Sequence, residues 1–305
     1  ISAMFSARKR HPSMIAARTL EKDRYKTRMT DKSETVLPKL AIAWAAGRMG
    51  RQLIAAGLKG GFNVVGGSEM AGSPHLATDL GVLGGHTAIG ARPSSDFSAA
   101  VAHADIWIDF TRPEVTLAAL DALKKTSVRA VIIGTTGFSP EEDAKLAEAA
   151  ASMTIVKAGN FSVGVNVLEA LTRLTAARLR EDWDIEIAEA HHRHKIDAPS
   201  GTALMLGAAA AEGRGVPLFD LKTGPYDGPS AKREPGKIGF SVKRSGGIIG
   251  EHEVSFGSEQ EIIKLSHSAL DRSVFAEGAL MAARWAMTQG HGLYGMDHVL
   301  GFATD

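Results

Sequence analysis

Short apolar runs alternate with helix-like stretches along the first half of the chain. The apolar runs occupy 40–45, 62–67, 105–110, 128–133 and 154–158. Helical stretches follow several of them, including 51–59 and a segment opened by a capping-box sequence at 139–142. This alternation predicts a parallel α/β sheet with right-handed crossovers and helices on both faces.

The loops after the apolar runs are where a sheet of this kind binds its ligands. They are 44–50, 67–73, 110–113, 134–138 and 158–162, and four of the five contain glycine. After the third run, Thr111 is placed to cap a helix that has Pro113 near its first position. We therefore expect a ligand site along the carboxyl ends of these strands.

The second half of the chain has a different pattern. An alternating run at 184–190 predicts a strand, and an Ala/Leu-rich stretch at 203–211 predicts a helix. Three further alternating runs lie at 238–244, 248–256 and 261–266. Glycine-containing turns separate them, so we expect antiparallel strands, followed by a helix over 270–287.

Length and composition narrow the class of protein. A chain of 305 residues is long enough for two domains, and a net charge of +1 argues against a dedicated nucleic-acid-binding protein. No apolar stretch approaches the roughly 18–20 residues that cross a bilayer. The absence of cysteine excludes disulfides, thiolate metal sites and cysteine nucleophiles from these residues. We expect a cytoplasmic protein that binds neither nucleic acid nor membrane.

The first 36 residues differ in charge from the remainder. They carry nine Lys or Arg and four Asp or Glu, so their net charge of +5 leaves −4 for the rest. No apolar segment follows the basic residues, which does not fit a secretory signal, although the lack of acids in the first twenty residues loosely fits a transit peptide. We favour a solvated, disordered extension, with Met29 as an alternative start.

The loop after the first apolar run has two thirds of a dinucleotide-binding pattern. Gly47 and Gly50 hold the second and third positions of GxxGxxG, and Trp44 holds the first. Glu69 follows the second run, where a carboxylate in such folds accepts hydrogen bonds from the adenosine ribose. Glycines that serve only the turn and the packing are the competing interpretation.

The strongest chemical signal lies at 191–203. Three histidines, one arginine and one lysine occupy 191–195, and the sequence Pro-Ser-Gly-Thr then opens a helix. The free amides of a helix start, with the hydroxyls of Ser200 and Thr202, form a carboxylate site that nearby cations strengthen. We infer a small carboxylate-bearing substrate beside a proton donor. Phosphate, a metal bound by the histidines and a solvated charged loop remain alternatives.

The run EAHHRHKIDAPSGTA at 189–203 resembles the hallmark of the bacterial dihydrodipicolinate reductase family. Further similar segments are AAGRMGRQLI at 45–54, DFTRPE at 109–114, IGTTGFS at 133–139, GNFSVGVNV at 159–167, GKIGFSVKRSGGIIGEHEVSF at 236–256 and LSHSALDRSVFAEGAL at 265–280. The resemblance extends from about residue 40 to the end. It implies a homotetrameric enzyme of diaminopimelate and lysine biosynthesis. That enzyme reduces a cyclic dicarboxylate, 4-hydroxy-tetrahydrodipicolinate, to tetrahydrodipicolinate with NADH or NADPH.

The resemblance also implies an architecture. A Rossmann-type dinucleotide-binding domain would comprise 37–161 together with 273–305. An α+β domain with a mixed sheet, 162–272, would bind the substrate and form the tetramer contacts. Residues 1–36 precede both domains.

The resemblance further implies a role for each motif. His191 corresponds to the catalytic proton donor, and Lys195 to a proton-donating lysine that also contacts the substrate. The other expected substrate contacts are His192, Ser200, Gly201 and Thr202. The expected cofactor contacts are Trp44, Ala45, Ala46, Gly47, Arg48, Met49, Glu69, Met70, Gly134, Thr135, Thr136, Ala158, Gly159, Asn160 and Phe161. No metal is implied.

Two positions depart from the family pattern. Trp44 replaces a glycine that permits close backbone approach to the pyrophosphate. Met70 follows Glu69 where many relatives have an arginine suited to a 2′-phosphate, so we expect NADH to be used at least as well as NADPH. The competing functions are a reductase-like protein that binds the dicarboxylate but has its cofactor binding impaired by Trp44, and an oxidoreductase for a different cyclic dicarboxylate.

Overall fold

The computed structural model describes residues 37–229 and 231–303, which contain two sheets and their covering helices. The predicted extension at 1–36 lies outside the described residues. The strands are β1 (Lys39–Ile42), β2 (Asn63–Gly67), β3 (Ile106–Asp109), β4 (Ala130–Ile133), β5 (Thr154–Lys157), β6 (Asp184–His191), β7 (Lys222–Thr223), β8 (Ile238–Arg244), β9 (Glu251–Gly257), β10 (Ile262–Ser268) and β11 (Gly292–Tyr294). The helices are α1 (Arg48–Lys59), α2 (Leu80–Leu83), α3 (Phe97–Ala100), α4 (Pro113–Leu123), α5 (Pro140–Ala149), α6 (Val163–Ala176), α7 (Gly201–Gly213), α8 (Leu218–Leu221), α9 (Ser273–Ala286) and α10 (Met296–Leu300).

The first sheet has six parallel strands in the order β11-β5-β4-β3-β1-β2. The strand order reverses at β1, since β2 lies on one side of it and β3 on the other. In a doubly wound sheet this reversal point is where a nucleotide binds, at the carboxyl end of the strand. The predicted parallel α/β sheet is therefore confirmed, with the loop after β1 at the expected position.

Both faces of the first sheet are covered, which explains why its strands are continuously apolar. One face packs against α1, α2 and α9, and the other against α3, α4 and α5. Leu40 and Ile42 face the first layer, whereas Ala41 between them faces the second. The division of the chain at 161/162 and 272/273 into two domains stays a prediction.

The second sheet is mixed and has the order β10-β9-β6-β8-β7. β9 is antiparallel to β10, as predicted, and it is also antiparallel to β6, whereas β8 is parallel to β6. The expectation that β8 and β9 pair with each other was wrong, because β6 lies between them and the connection after β8 crosses its end. There, the Ser245 N–H donates to the carbonyl oxygen of His191 at 2.9 Å. Helices α6 and α7 cover one face of this sheet.

The helix starts test the sequence signals directly. At Ser139 the capping box is confirmed: its hydroxyl accepts from the Glu142 N–H at 3.2 Å, and the Glu142 carboxylate accepts from the Ser139 N–H at 2.8 Å. Pro113 occupies the first turn of α4, as predicted, but Thr111 is not the cap. Its hydroxyl donates instead to the buried carboxylate of Asp109 at 2.6 Å, because that stronger acceptor is closer.

None of the helices in the described part of the chain is long and apolar enough to span a membrane.

Candidate active site

Strand β6 brings the centre of the site to the end of the second sheet. His191 is its last residue, and its ring Nδ1 lies 2.6 Å from Oε2 of Glu189. Residues two apart on a strand share a face, so both side chains lie on the face that Ile185 and Ile187 present to the helices. The spacing thus places a carboxylate against one nitrogen of His191 and leaves Nε2 for a ligand.

Glu189 is fully buried and accepts four hydrogen bonds. Its Oε2 accepts from His191 and from Arg244 Nη1 at 2.8 Å, while Oε1 accepts from Arg244 Nη2 at 2.8 Å and the Ser200 N–H at 2.9 Å. Burial acts to raise the pKa of Glu189, but the bonds from Arg244, His191 and Ser200 outweigh it, and the pKa is lowered. The carboxyl group is therefore ionised at neutral pH.

The start of α7 lies beside this carboxylate. Ser200 is the N-cap of α7 and is buried. Its N–H donates to Glu189, and its hydroxyl accepts from the Ala203 N–H at 3.2 Å. The next residue, Gly201, has open space where a Cβ would lie. Thr202 accepts a hydrogen bond from the Asn160 side-chain amide at 3.1 Å. The structure thus brings the predicted substrate residues Gly201 and Thr202 next to the predicted cofactor residue Asn160.

Lys195 lies on the loop between β6 and α7. Its ammonium group is 2.8 Å from the carboxylate of Asp197, and its side chain is largely buried. The carbonyl of Asp197 in turn accepts from Arg244 Nη2 at 2.6 Å. Lys195 is therefore held in place by a neighbour on its own loop, which a substrate carboxylate could displace.

Cations accumulate around His192, next to His191. Burial, followed by the charges of Arg272 and His191 and of the other basic groups of the loop, lowers the pKa of His192. A site of this kind holds one imidazole neutral while presenting the positive charges of Lys195 and Arg272 to an anion. A dicarboxylate would satisfy it.

His252 is a site residue that the motif analysis did not single out. It is the cross-strand partner of Glu189 on β9, and its Nε2 lies 3.2 Å from the Ser200 hydroxyl. Its ring meets that of His191 edge to face with the centroids 5.1 Å apart. Burial, with the neighbouring charge of His191, lowers the pKa of His252 to about 4, so it is neutral at pH 7. The signal for it was the alternation of the β9 segment, which places His252 on the buried face.

Two of the residues that organise this centre, Glu189 and Arg244, lie within the quoted motifs, yet no role was predicted for them. Arg244 is the register partner of His191 on the neighbouring strand β8, more than fifty residues later in the chain. Sequence spacing cannot show which strands pair, and this pairing creates the contact. Within the described residues, no group of three or more His, Asp or Glu side chains is placed to hold a metal ion.

The second part of the site lies at the start of α1. Gly47 is its N-cap and provides no side-chain cap, and the first turn contains no acidic residue. An open cavity of about 650 Å³ adjoins this start. It is lined by Trp44, Ala46, Gly47, Glu69, Met70, His75, Arg112, Glu114 and Val115. An uncapped helix start beside an open cavity is the geometry that binds a phosphate group, so the residues present fit a dinucleotide.

Trp44 occupies the turn between β1 and α1 in an unusual conformation. Among the described residues it is the only non-glycine with a φ in the left-handed region, at +44°. The guanidinium carbon of Arg112 lies 5.6 Å from the centroid of a Trp44 ring, which is a cation–π distance. The backbone thus keeps the turn that a glycine would make, while the indole adds bulk to the cavity wall.

Glu69 and Met70 follow β2 and line the same cavity. The Glu69 carboxylate accepts from the Ala46 N–H at 2.9 Å, so it is oriented by the loop itself. Met70 is 62% exposed and adds no charge. The other loop residues, Ala45, Arg48 and Met49, surround the helix start, with Ala45 buried and Arg48 exposed.

In the loop after β4, the Thr135 side chain makes hydrogen bonds within the protein, whereas Thr136 makes none of these. Thr135 is buried, and its hydroxyl lies within hydrogen-bonding distance of Asp109, Thr116 and the Thr111 N–H. Burial raises the pKa of Asp109, although the bonds from Thr111 and Thr135 oppose this. The Thr135 side chain therefore joins two loops, whereas Thr136 is exposed. Gly134 packs against the Phe110 ring, where a Cβ would lie 2.1 Å from a ring carbon.

The segment after β5 joins the two parts of the site. Phe161 is buried against Phe110, with ring centroids 5.4 Å apart, and Ala158 packs on the same core. Gly159 is exposed and has open space around its Cβ position. Asn160 bonds Thr202 through its amide nitrogen and the Ser162 N–H through its oxygen, at 2.8 Å. This segment therefore connects the end of the first sheet with the start of α7.

A Rossmann-type sheet with a phosphate-binding helix start, joined to a cationic centre that carries an imidazole–carboxylate pair, defines an α/β oxidoreductase that uses a nicotinamide dinucleotide. Two family models match the chain: the dihydrodipicolinate reductase N-terminus over residues 38–161 and the dihydrodipicolinate reductase C-terminus over residues 164–300. The chain belongs to the dihydrodipicolinate reductase family.

Individual relatives agree with this assignment. The chain is 50% identical over 265 residues to the 4-hydroxy-tetrahydrodipicolinate reductase of Parvibaculum lavamentivorans, covering 86% of this chain and 97% of that one. It is also 50% identical over 268 residues to the enzyme of that name from Dinoroseobacter shibae, covering 87% and 98%. The solved dihydrodipicolinate reductase from Paenisporosarcina, with dipicolinate bound, has a TM-score of 0.69 at 23% identity, covering 86% and 99%, and supports the fold.

Proposed function

We propose that this chain reduces 4-hydroxy-tetrahydrodipicolinate to tetrahydrodipicolinate, a step of diaminopimelate and lysine biosynthesis. The substrate takes up a hydride and a proton and releases water. The observation that carries the proposal is the juxtaposition of His191, Lys195 and the open start of α7 beside the segment 158–161. Relatives at about 50% identity carry the name of this reductase, which does not favour a non-catalytic dicarboxylate-binding protein.

The substrate's carboxylates would bind at the start of α7. We assign one carboxylate to the amides of Gly201 and Thr202, because Glu189 already occupies the amide of Ser200. Lys195 and His192 would contact the other carboxylate, with Lys195 leaving Asp197 to do so. Ser200, which is buried and fully engaged, supports the helix start instead of touching the ligand.

His191 would supply the proton. Its Nδ1 is taken by Glu189, so the proton passes from Nε2. Lys195 lies on the same loop and provides a second N–H for the substrate.

When bound, the nicotinamide cofactor supplies the hydride. The backbone at the start of α1, residues 45–49, would hold its pyrophosphate, and Glu69 would accept from the adenosine ribose. Trp44 and Met70 line the same cavity. The segment 158–161 and the loop Gly134–Thr136 would flank the nicotinamide, with Thr135 acting through its backbone because its side chain is buried.

We also propose that NADH is used at least as well as NADPH. Recognition of a 2′-phosphate calls for a guanidinium beside the ribose, and the residue after Glu69 is the uncharged, exposed Met70. A carboxylate at Glu69 additionally repels a 2′-phosphate. Both features favour the free ribose hydroxyls of NADH.

A homotetramer in the cytoplasm completes the proposal. The second sheet has one face covered by α6 and α7, while exposed residues such as Ser241 and Lys243 lie on β8. Its edge strand β10 carries Ile262, which is 64% exposed. Pairing of this sheet between copies would cover both features, and light scattering after gel filtration would measure the resulting mass.

A turnover assay tests the proposed reaction. Enzymatically made 4-hydroxy-tetrahydrodipicolinate is added to the purified chain with NADH or NADPH, and the loss of reduced cofactor is followed by absorbance. We expect turnover with both, and a kcat/KM for NADH equal to or above that for NADPH. Dipicolinate, which is bound in the solved Paenisporosarcina structure, is titrated separately as a probe for occupation of the proposed substrate site.

Three results would contradict these proposals. Binding of dipicolinate without oxidation of either cofactor would support the non-catalytic alternative. Turnover of another cyclic dicarboxylate, with none of this substrate, would indicate a different oxidoreductase. A large NADPH preference would refute only the assignment made to Glu69 and Met70.

A further inference from the structure

We propose that Glu189 is a positioning residue for the reaction, which fixes His191 with Nδ1 protonated and Nε2 directed at the substrate, and which ties this imidazole to the helix start that binds the substrate's carboxylate. The inference rests on the proposed function only in taking His191 as the proton donor. It adds a group that does not itself touch substrate or cofactor.

The contact with Glu189 determines which nitrogen of His191 carries the proton. An ionised carboxylate can only accept hydrogen bonds. At 2.6 Å from Glu189 Oε2, the Nδ1 atom of His191 must therefore donate. In the neutral ring the lone pair then lies on Nε2, and in the charged ring the transferable proton lies there, so one contact sets the direction of proton transfer.

The carboxylate of Glu189 also holds the start of α7, the helix proposed to bind the ligand. Glu189 Oε1 accepts the Ser200 N–H at 2.9 Å, at the N-cap of α7. A single rigid carboxylate thus holds both the imidazole and the residue that precedes the free amides of Gly201 and Thr202. Any shift of Glu189 would change the distance between the proton donor and the bound carboxylate.

Arg244 extends this connection to Lys195. It donates two bonds to Glu189, each 2.8 Å long, and one of its nitrogens also donates to the Asp197 carbonyl at 2.6 Å. Asp197 pairs with Lys195 through its carboxylate at 2.8 Å. Both proposed proton donors are therefore positioned by one buried ion pair.

The groups that face His191 leave Glu189 as the anion that acts on it. They are Glu189 on β6, Arg244 on β8, His252 on β9, and His192 and Lys195 on the following loop. Apart from Glu189, Arg244 and Lys195 are cations, His252 is neutral near pH 7, and the pKa of His192 is lowered. Removing the charge of Glu189 would leave no anion among these groups to accept the Nδ1–H of His191 and orient its ring.

The test replaces the charge and keeps the shape. Glu189→Gln is expected to lower kcat by at least about tenfold, the smallest loss usual when a group that orients a reactive side chain is removed. The pH profile of its kcat/KM should differ from that of the wild type, because the ionised carboxylate beside the proposed proton donor is gone. Glu186→Gln is the matched control, since Glu186 lies on the same strand, on the opposite face, and pairs with Arg233. It should leave the pH profile unchanged.

If Glu189→Gln fails to fold, a measurement on the wild-type protein still tests the role of Glu189. ¹⁵N-labelled histidine NMR distinguishes the two neutral tautomers, and the neutral ring of His191 should carry its proton on Nδ1. An Nε2–H tautomer, or a Glu189→Gln variant with the pH profile of wild type, would overturn the inference. Failure of the proposed function looks different: the wild type would be inactive, or His191→Ala would retain full activity.

Discussion

The starts of α1 and α7 perform similar tasks by different means. Each follows a strand and opens toward a proposed anion. The start of α1 is built from backbone: Gly47 gives no side-chain cap, and the amides face an open cavity. The start of α7 is built from side chains, since the Ser200 hydroxyl caps it and Glu189 holds its first amide.

This difference determines how each site responds to substitution. A backbone site tolerates a foreign side chain when the chain can still take the required turn, and Trp44 does so at φ +44°. That conformation costs an L-residue roughly 1–2 kcal/mol, which a domain of this size can absorb. A site made of paired charges has no such tolerance, because removing one partner leaves a buried charge without compensation. We therefore expect the larger effects at α7.

The largest fall in kcat is expected when a proposed proton donor is removed. His191→Ala and Lys195→Ala should each lower kcat by about 10²–10⁴-fold, the usual contribution of a positioned acid or base. Steady-state kinetics with saturating cofactor would measure it. Lys124→Ala is a control, because Lys124 lies at the end of α4 away from both helix starts and pairs with the exposed Asp121.

Near-wild-type kcat in both variants would remove the basis for placing the chemistry at α7. Titration with dipicolinate separates the possible causes of a loss. Retained binding with lost turnover points to chemistry, whereas loss of both points to a disturbed site.

A smaller effect is expected at α1. Trp44→Gly should tighten NADH binding by about tenfold, equivalent to roughly 1.4 kcal/mol, because the indole no longer narrows the cavity and no Cβ hinders close approach of the pyrophosphate. Trp44→Ala is the informative partner, since it removes the ring but keeps a Cβ in the strained conformation. Calorimetric titration of NADH would measure both.

Comparing Trp44→Gly with Trp44→Ala separates the two possible causes of a change in NADH affinity. Equal gains for Gly and Ala would assign the effect to the ring, and a gain for Gly alone would assign it to the backbone. Weaker binding in both would show that the indole, held near Arg112, contributes to cofactor binding, contrary to the idea that it obstructs.

The contrast between the two helix starts also explains what could be predicted from the sequence. Local signals were sufficient to predict the first sheet, and they located the loop at Gly47 and the run at His191, because apolar periodicity and motif spacing are properties of neighbouring residues. The roles of the residues in these two segments stay predictions. The insertion of β6 between β8 and β9 was not predicted, since register depends on residues far apart in the chain. The bonds from Arg244 to Glu189 follow from that register, and the capping role of Thr111 was lost to the buried Asp109.

The smallest effect is expected on the free energy of unfolding, at the start of α2, for which no ligand is proposed. Asp79 caps α2 and accepts from the N–H groups of Gly81, Ile89 and Gly90 at 2.8–2.9 Å. Asp79→Ala should lower the free energy of unfolding by about 1 kcal/mol near pH 7 and leave the kinetics unchanged. Urea unfolding of both proteins at a series of pH values would measure the difference.

The pH dependence of that difference identifies the charge as its source. The bond from the Ile89 N–H contributes most to lowering the pKa of Asp79 below its ordinary 3.8. A carboxyl group with a lowered folded-state pKa stabilises the protein above the unfolded-state value and loses that contribution as the pH falls through the folded-state value. The gap between wild type and Asp79→Ala should therefore be full at pH 7 and shrink below about pH 3.8. A deficit for Asp79→Ala that is the same at every pH would mean that the side chain acts through shape and not through charge.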